Sequence, residues 1–178
     1  ISWLYWEKKL PVELTILGLE AQNLPLDLDK NLVIKMQDAA EFRILGTFDL
    51  AGYPDTMSRE MLNANAYITF TYRDPCPNAV VEAQSYGLPV VALGRGGVTE
   101  IVRHGGELIH IDDFPNGYLW SNLNNKDYPK IDAQEAYLSL KKVIQSLPKY
   151  QERARSNFLD NLEISKVSEQ YLKLLKRF

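Results

Sequence analysis

The sequence contains one cysteine and two histidines in 178 residues, and this shortage excludes several classes of protein. A single cysteine, Cys76, cannot form a disulfide within the chain, and it indicates a reducing, cytoplasmic compartment. His104 and His110 have no ligand partner at a spacing typical of metal sites, so no metal site is predicted. No run of about 18 apolar residues occurs, so no transmembrane helix is predicted, and peripheral contact with a membrane is left open.

An excess of charge of one sign is also absent. The chain carries 20 basic and 23 acidic residues, and the net charge of −3 gives no indication of nucleic-acid binding. The apolar fraction of 46% is ordinary for a globular protein. Because domains commonly hold about 100–200 residues, we predict a single domain over residues 1–178.

The most informative stretch begins with an apolar segment and ends in a short helix. Ala66–Thr71 is apolar and rich in β-branched residues, as in a buried parallel strand. Two prolines then interrupt the chain. Asn78 follows at a position typical of a helix N-cap, Ala79–Tyr86 has a helical composition, and Gly87 marks the end of the helix. The sequence therefore predicts a strand, a loop and a helix in that order.

A second buried strand and a glycine-rich turn complete this unit. Pro89–Leu93 is apolar, and Gly94, Gly96 and Gly97 follow it closely. The order strand, loop, helix, strand is one βαβ unit, in which ligands bind at the carboxyl ends of the strands. The Gly96–Gly97 pair allows a second backbone to come close where a β-carbon would clash.

The start of the predicted helix is suited to an anion. The first N–H groups after Pro77 have no acceptor within the helix, and the helix dipole places partial positive charge beside them. Glu82 lies one helical turn after Asn78, so both side chains can face the same cleft.

These residues resemble the retaining glycosyltransferases of family 4, which have two Rossmann-like domains in the GT-B architecture. The donor-side signature of that family is an acidic residue, seven further residues and a glutamate, continuing as E-A-x-x-x-G-x-P-V-V and later G-G-x-x-E. The positions that match are Asp74, Glu82, Ala83, Gly87, Pro89, Val90, Val91, Gly96, Gly97 and Glu100. Asp74 stands where the family usually has glutamate, and Cys76-Pro77 replaces the usual Phe-Gly. The resemblance extends over about residues 12 to 111.

The resemblance implies a fold, a reaction and partners. The expected fold is α/β, a doubly wound parallel sheet that forms the carboxyl-terminal, donor-binding half of the transferase. The expected reaction moves a hexose from a nucleoside diphosphate sugar to a sugar or lipid-linked acceptor, with retention of configuration. The nucleotide sugar is a substrate, so no cofactor is implied. No metal is implied either, because the helix amino terminus and the basic residues expected upstream take its place. An amino-terminal acceptor domain is the implied partner, and nucleic acid is not.

The resemblance also implies the role of each site residue. Asp74 would bond hydroxyls of the donor sugar, and Glu82 would accept hydrogen bonds from the ribose. The N–H groups of Asn78 and Ala79 would hold the sugar and diphosphate, and catalysis would come from stabilising the leaving diphosphate. The implied site comprises the catalytic pair Asp74 and Glu82 and the donor-binding residues Cys76, Pro77, Asn78, Ala79, Gly96, Gly97 and Glu100.

Simpler interpretations of the same residues stay open. Asp74 can cap the turn at Pro75, Glu82 can be a solvated surface residue, and Glu100 can brace its own helix. The glycines can serve only a tight turn. Two rival functions are a nucleotide-sugar-binding module without transfer activity and a nucleotide-sugar epimerase of the same architecture.

The flanking segments follow the same α/β pattern. Ile1–Lys9 is interpreted as the end of a helix, so the first strand and its basic diphosphate-binding loop are expected upstream of Ile1, in a longer protein; the alternative is that Ile1–Trp6 is that strand. Glu20–Glu41 fits a helix slightly better than a strand, and Asp112–Asp132 is predicted to be an irregular loop. Other predicted elements are strands at Val12–Gly18, Phe42–Gly46 and Gly106–Ile111, and helices at Thr56–Ala64, Thr99–His104, Ala133–Ser146, Pro148–Leu162 and Ser165–Phe178.

Overall fold

The computed structural model describes residues 14–17, 42–45, 53–72, 74–111 and 131–176. The chain divides into two compact units, Ile1–Asn63 and Ala64–Phe178, which are described separately. The assignment of residues 1–178 to one domain stays a prediction. The interpretations of residues 1–9 and 20–41, and nearly all of the loop at 112–132, lie outside the described residues.

The first unit contains a parallel strand pair and a helix. Strand β1, Leu14–Leu17, runs parallel to β2, Phe42–Leu45, with Leu14 opposite Phe42. Both strands lie inside the ranges that the sequence predicts. Helix α1 spans Tyr53–Asn63 and so begins three residues before the predicted start at Thr56. The earlier start includes Asp55 in the first turn, where a negative charge interacts favourably with the helix dipole.

The second unit is built on a three-stranded parallel sheet in the order β3-β4-β5. Its strands are β3, Tyr67–Thr69; β4, Val90–Leu93; and β5, Gly106–Ile109. All four residues of β4 are buried, as expected for the central strand of a covered parallel sheet. A β-carbon at Gly106 would lie 1.9 Å from the carbonyl oxygen of Val90, so glycine permits the observed approach of β5 to β4. The prediction of an α/β fold with parallel strands is confirmed.

The described part of this unit also contains six helical segments, two of them between the strands and four after β5. They are α2, Asn78–Ser85; α3, Val98–Val102; α4, Ala133–Gln145; α5, Leu147–Asn157; a π-helical turn, Phe158–Leu162; and α6, Ile164–Leu175. The predicted single helix Pro148–Leu162 is therefore corrected to α5 followed by the π-turn. The predicted helix Thr99–His104 is shorter, because Arg103 leaves helical geometry with a φ of 45°.

Polar contacts connect α4 and α5 to the sheet. Asp132 caps α4 by accepting the N–H of Gln134 at 2.7 Å, an interaction typically worth about 1 kcal/mol. The ammonium of Lys142 on α4 contacts both oxygens of Glu107 on β5, at 2.8 and 2.9 Å. The buried Tyr150 of α5 donates its hydroxyl hydrogen to Glu107. One carboxylate on β5 thus holds both helices.

Helix α6 presents an apolar face to solvent. Of its apolar residues, Val167 is half-buried, whereas Tyr171 and Leu174 are 66% and 54% exposed. No described residue of α6 is fully buried. Within the described part of the chain, no helix is both long and apolar enough to span a membrane.

Candidate functional site

The loop after β3 leads into the amino terminus of α2. Pro77 is the N-cap residue, with φ −69° and ψ 95°, and its carbonyl accepts the N–H groups of Val80 at 3.0 Å and Val81 at 3.4 Å. The prediction of Asn78 as the N-cap is therefore wrong by one residue. The proline ring fixes φ near the observed value, and the N-cap carbonyl accepts the first helical bonds, so Asn78 becomes the first helical residue.

This geometry leaves two backbone donors at the start of α2. Asn78 and Ala79 are the first two residues of α2, so their N–H groups have no carbonyl acceptor within the helix. Asn78 is exposed and Ala79 is half-buried, so this end of α2 is open to solvent. The helix dipole adds partial positive charge there, which suits a phosphate or another anion.

Asp74 organises the loop that precedes α2. Its Oδ1 accepts the N–H of Cys76 at 3.0 Å, which is the hydrogen bond of an Asx-turn. The simpler interpretation, in which Asp74 caps its own turn, is therefore observed. A carboxylate can accept several hydrogen bonds, so this one still leaves acceptor capacity on the half-buried side chain.

The glycine loop after β4 packs against this turn, backbone to backbone. The N–H of Gly97 donates to the carbonyl of Asp74 at 2.9 Å. A β-carbon at Gly97 would lie 1.9 Å from the carbonyl oxygen of Pro75, and one at Gly96 would lie 2.8 Å from that of Asp74. Gly96 also has a φ of +64°, which favours glycine. The close approach predicted for this pair is made by the Asp74–Pro75 backbone, and donor binding by the glycines stays a prediction.

The two predicted glutamates lie on neighbouring helices of this unit. Glu82 on α2 and Glu100 on α3 are both exposed. Asn78 and Glu82, one turn apart, are exposed on the same side of α2, as the spacing predicts. The carbonyl of Glu100 accepts the Nε–H of Arg103 at 3.0 Å, so this residue is held through its backbone while its side chain faces solvent.

Two features of this region were not predicted from the sequence. Arg95 lies between Gly94 and Gly96, half-buried, and brings positive charge to the loop at the carboxyl end of β4. A basic residue within a glycine cluster after a buried strand is a signal that would have identified it. The second feature is a set of buried amides behind α2 and α3, centred on Asn157, for which no sequence pattern exists.

Among the described residues, no group of three or more His, Cys, Asp or Glu side chains is arranged to hold a metal ion. The features of this site that favour an anion are the backbone N–H groups and the dipole at the amino terminus of α2.

Comparisons with known proteins address the family. No curated protein matches the sequence. The catalytic domain of starch synthase IV from Arabidopsis thaliana, bound to ADP and acarbose, is similar in structure at 12% identity and a TM-score of 0.49, over 99% of this chain and 42% of that one. AviGT4, a glycosyltransferase involved in avilamycin A biosynthesis, is similar at 16% identity and a TM-score of 0.42, over 83% of this chain and 42% of that one.

The chain thus spans less than half the length of either structure. The family model described as glycosyl transferases group 1 matches residues 5–124, which is more than half of the 178 residues. The matched range includes β1 to β5 and every predicted site residue. The chain therefore belongs to the glycosyl transferases group 1 family.

Proposed function

We propose that this chain is the donor-binding half of a GT-B glycosyltransferase that transfers a hexose from a nucleoside diphosphate sugar with retention of configuration. The observation that carries the proposal is the open amino terminus of α2, fixed between the Asp74 turn and the Gly97 loop. The acceptor is a sugar or a lipid-linked sugar, and it is bound by an amino-terminal domain. The proposed compartment is the cytoplasm, and neither a resident cofactor nor a metal is part of the proposal.

The amino terminus of α2 is proposed to bind the diphosphate and the adjoining sugar. Breaking the bond between the hexose and the diphosphate leaves additional negative charge on the diphosphate. The N–H groups of Asn78 and Ala79 are fixed donors, and they stabilise this charge without having to reorganise during the reaction. Arg95 adds a full positive charge in the neighbouring loop.

The carboxylates of Glu82 and Asp74 are proposed to bind the two sugars of the donor, the ribose and the hexose. Glu82, exposed one turn into α2, accepts hydrogen bonds from the two ribose hydroxyls, which are charge-assisted and therefore strong. Asp74 uses one hydrogen bond to hold its turn and its remaining acceptor capacity to bind hydroxyls of the hexose. Glu100 and the Cys76–Pro77 loop complete the lining of the donor site.

Titration of the full-length protein with nucleoside diphosphates and nucleotide sugars tests the proposal. We expect saturable binding that weakens about ten- to a hundredfold in Glu82→Gln, since a hydrogen bond to a charged group is worth about 1.5–3 kcal/mol. Glu169→Gln, an exposed glutamate on α6, is the matched control and should bind normally. Wild-type affinity in Glu82→Gln would remove the ribose contact.

An activity assay separates the proposed transfer from its rivals. The full-length protein should form a glycosylated acceptor, whereas the 178-residue chain alone should bind the nucleoside diphosphate weakly and transfer nothing. Release of free nucleoside diphosphate without a glycosylated product would favour the epimerase. Binding without any turnover in the full-length protein would favour a binding module.

A further inference from the structure

We propose that Asn157 is a positioning residue for the donor site, because its buried amide fixes α2 and α3 relative to each other. This inference rests on the proposed function, in which α2 carries Glu82 and α3 carries Glu100. Asn157 is the last residue of α5 and lies 73 positions after Gln84, its partner in α2.

The side chain of Asn157 joins three helices at one point. Its Nδ2 donates to Oε1 of Gln84 at 2.6 Å and to the carbonyl of Ile101 in α3 at 2.8 Å. Gln84 also donates its Nε2 hydrogen to the carbonyl of Ile101, at 3.2 Å. Both amide side chains are completely buried, so no water competes for these bonds. Gly105 is packed against the same group, since a β-carbon there would lie 2.6 Å from Oε1 of Gln84.

The same amide is connected to Glu100 by a second route. Oδ1 of Asn157 accepts Nδ2–H of Asn161 at 3.1 Å, and Oδ1 of Asn161 accepts Nη1–H of Arg103 at 2.6 Å. Arg103 in turn donates its Nε–H to the carbonyl of Glu100 at 3.0 Å. A continuous path of hydrogen bonds therefore runs from Gln84 in α2 to Glu100 in α3.

Two unusual backbone features lie on this path. Asn161 belongs to the π-turn, a wide helical turn that is rare in proteins and frequently found at functional sites. Arg103 has a φ of 45°, which is strained for a residue other than glycine. A strained backbone conformation persists only where surrounding contacts stabilise it. Here the guanidinium of Arg103 donates hydrogen bonds to the carbonyl of Glu100 and to Oδ1 of Asn161.

The path lies behind the donor site, on the opposite side of α2. Gln84 is two residues after Glu82, so one side chain points into the protein while the other is exposed. Apolar contacts between helices allow sliding, whereas hydrogen bonds between buried amides require one orientation. Loss of the amide of Asn157 should therefore let α2 shift relative to α3, and with it the Asn78 N–H group relative to Glu100.

The test compares two variants on the path with one control on α5. Asn157→Asp keeps the shape but removes every hydrogen bond that Nδ2 donates, and Asn161→Ala breaks the path at a half-buried position that is more tolerant of change. Tyr150→Phe is the control, since it removes the hydrogen bond that another buried α5 residue donates to Glu107 on β5. The full-length proteins are titrated with UDP, GDP, ADP and inorganic pyrophosphate below the unfolding temperature of every variant.

We expect both path variants to bind the preferred nucleoside diphosphate about tenfold more weakly or worse, because small displacements of binding groups are costly. Tyr150→Phe should lose stability and keep its affinity. Amide hydrogen exchange should accelerate in α2 of the path variants and not in the control. Wild-type affinity in both folded path variants would overturn the positioning role alone. Failure of the wild type to bind any of the four probes would overturn the proposed function, and this inference with it.

Discussion

The N–H group of Gly97 donates to the carbonyl of Asp74 at 2.9 Å, so a backbone hydrogen bond connects the loop after β3 to the loop after β4. Neither side chain makes this contact. Its existence depends on the absence of a side chain at Gly97, because a β-carbon would overlap the carbonyl of Pro75. The position of the Asp74 turn is therefore set by a residue in a different loop.

Gly97→Ala should destabilise the second unit and displace the Asp74 turn. The new β-carbon would lie 1.9 Å from the carbonyl oxygen of Pro75, so one backbone must move; strain of this kind typically costs about 1–3 kcal/mol. Gly94→Ala is the control, because its nearest atom, at 3.3 Å, demands only a small adjustment. Urea denaturation measures the free energy of unfolding of each variant. An equal loss of stability in Gly97→Ala and Gly94→Ala would contradict the prediction.

Asp74→Asn should separate hexose binding from nucleotide binding. Asparagine retains an Oδ1 that can accept the N–H of Cys76, so the turn before α2 should survive while the negative charge is lost. We expect about ten- to a hundredfold weaker binding of the nucleotide sugar and unchanged binding of the free nucleoside diphosphate.

Calorimetric titration of the full-length Asp74→Asn variant with both ligands measures this difference. Glu82→Gln is the comparison, since a ribose contact is shared by the two ligands and both affinities should fall together. Equal losses for both ligands in Asp74→Asn would show that Asp74 serves the turn and not the hexose.

Alkaline pH should weaken the attachment of α4 and α5 to β5. The hydrogen bond to Glu107 raises the pKa of Lys142, and burial, together with the bond to Glu107, raises the pKa of Tyr150. Both groups hold their protons more tightly in the folded chain, so their stabilisation is complete below about pH 10 and is lost as pH rises through the raised pKa values.

Thermal unfolding across this alkaline range measures the effect. Glu107→Gln removes the charge that raises the pKa of Lys142 and adds to the effect of burial on the pKa of Tyr150, so the decline of stability with pH should become shallower. Glu152→Gln, an exposed glutamate on α5, should decline as steeply as the wild type. A decline that is equally steep in Glu107→Gln would assign the alkaline sensitivity to other groups.

At Arg103, glycine should be better tolerated than alanine. Both substitutions remove the guanidinium, but only glycine adopts a φ of 45° without strain, so Arg103→Gly should be more stable than Arg103→Ala by about 1 kcal/mol. At Glu152, inside α5, the order should reverse, because alanine favours a helix over glycine by about 1 kcal/mol. Chemical denaturation of the four variants gives the difference in stability between the glycine and alanine variants at each position. A more stable alanine variant at both positions would show that Arg103 is unstrained.

The parts of the fold that follow from local pattern were predictable. Pro89–Leu93 was recognisable as a strand because a central parallel strand, buried on both faces, is apolar throughout. Helix α2 begins one residue before the predicted start, because Pro77, whose ring restricts its own φ, takes the N-cap position that asparagine commonly occupies.

Contacts between distant residues were not predictable from the sequence. Asn157 and Gln84 are ordinary polar residues in helical segments, and nothing in either segment indicates that they meet. The glycine pair at 96–97 indicated a close approach, but its partner, the Asp74–Pro75 backbone, emerged only from the structure. Pattern therefore identified the residues of the candidate site, whereas their geometry depends on long-range packing.

Cys76 makes the candidate site directly measurable by thiol chemistry. It is the only cysteine in the sequence, its side chain is exposed, and its N–H is held by Asp74 one residue before the Pro77 cap of α2. A maleimide dye would therefore attach to this chain at one position, beside the amino terminus of that helix. Occupancy of the site by a nucleotide should slow the alkylation, and the ratio of rates with and without ligand would report its affinity without any substitution in the chain.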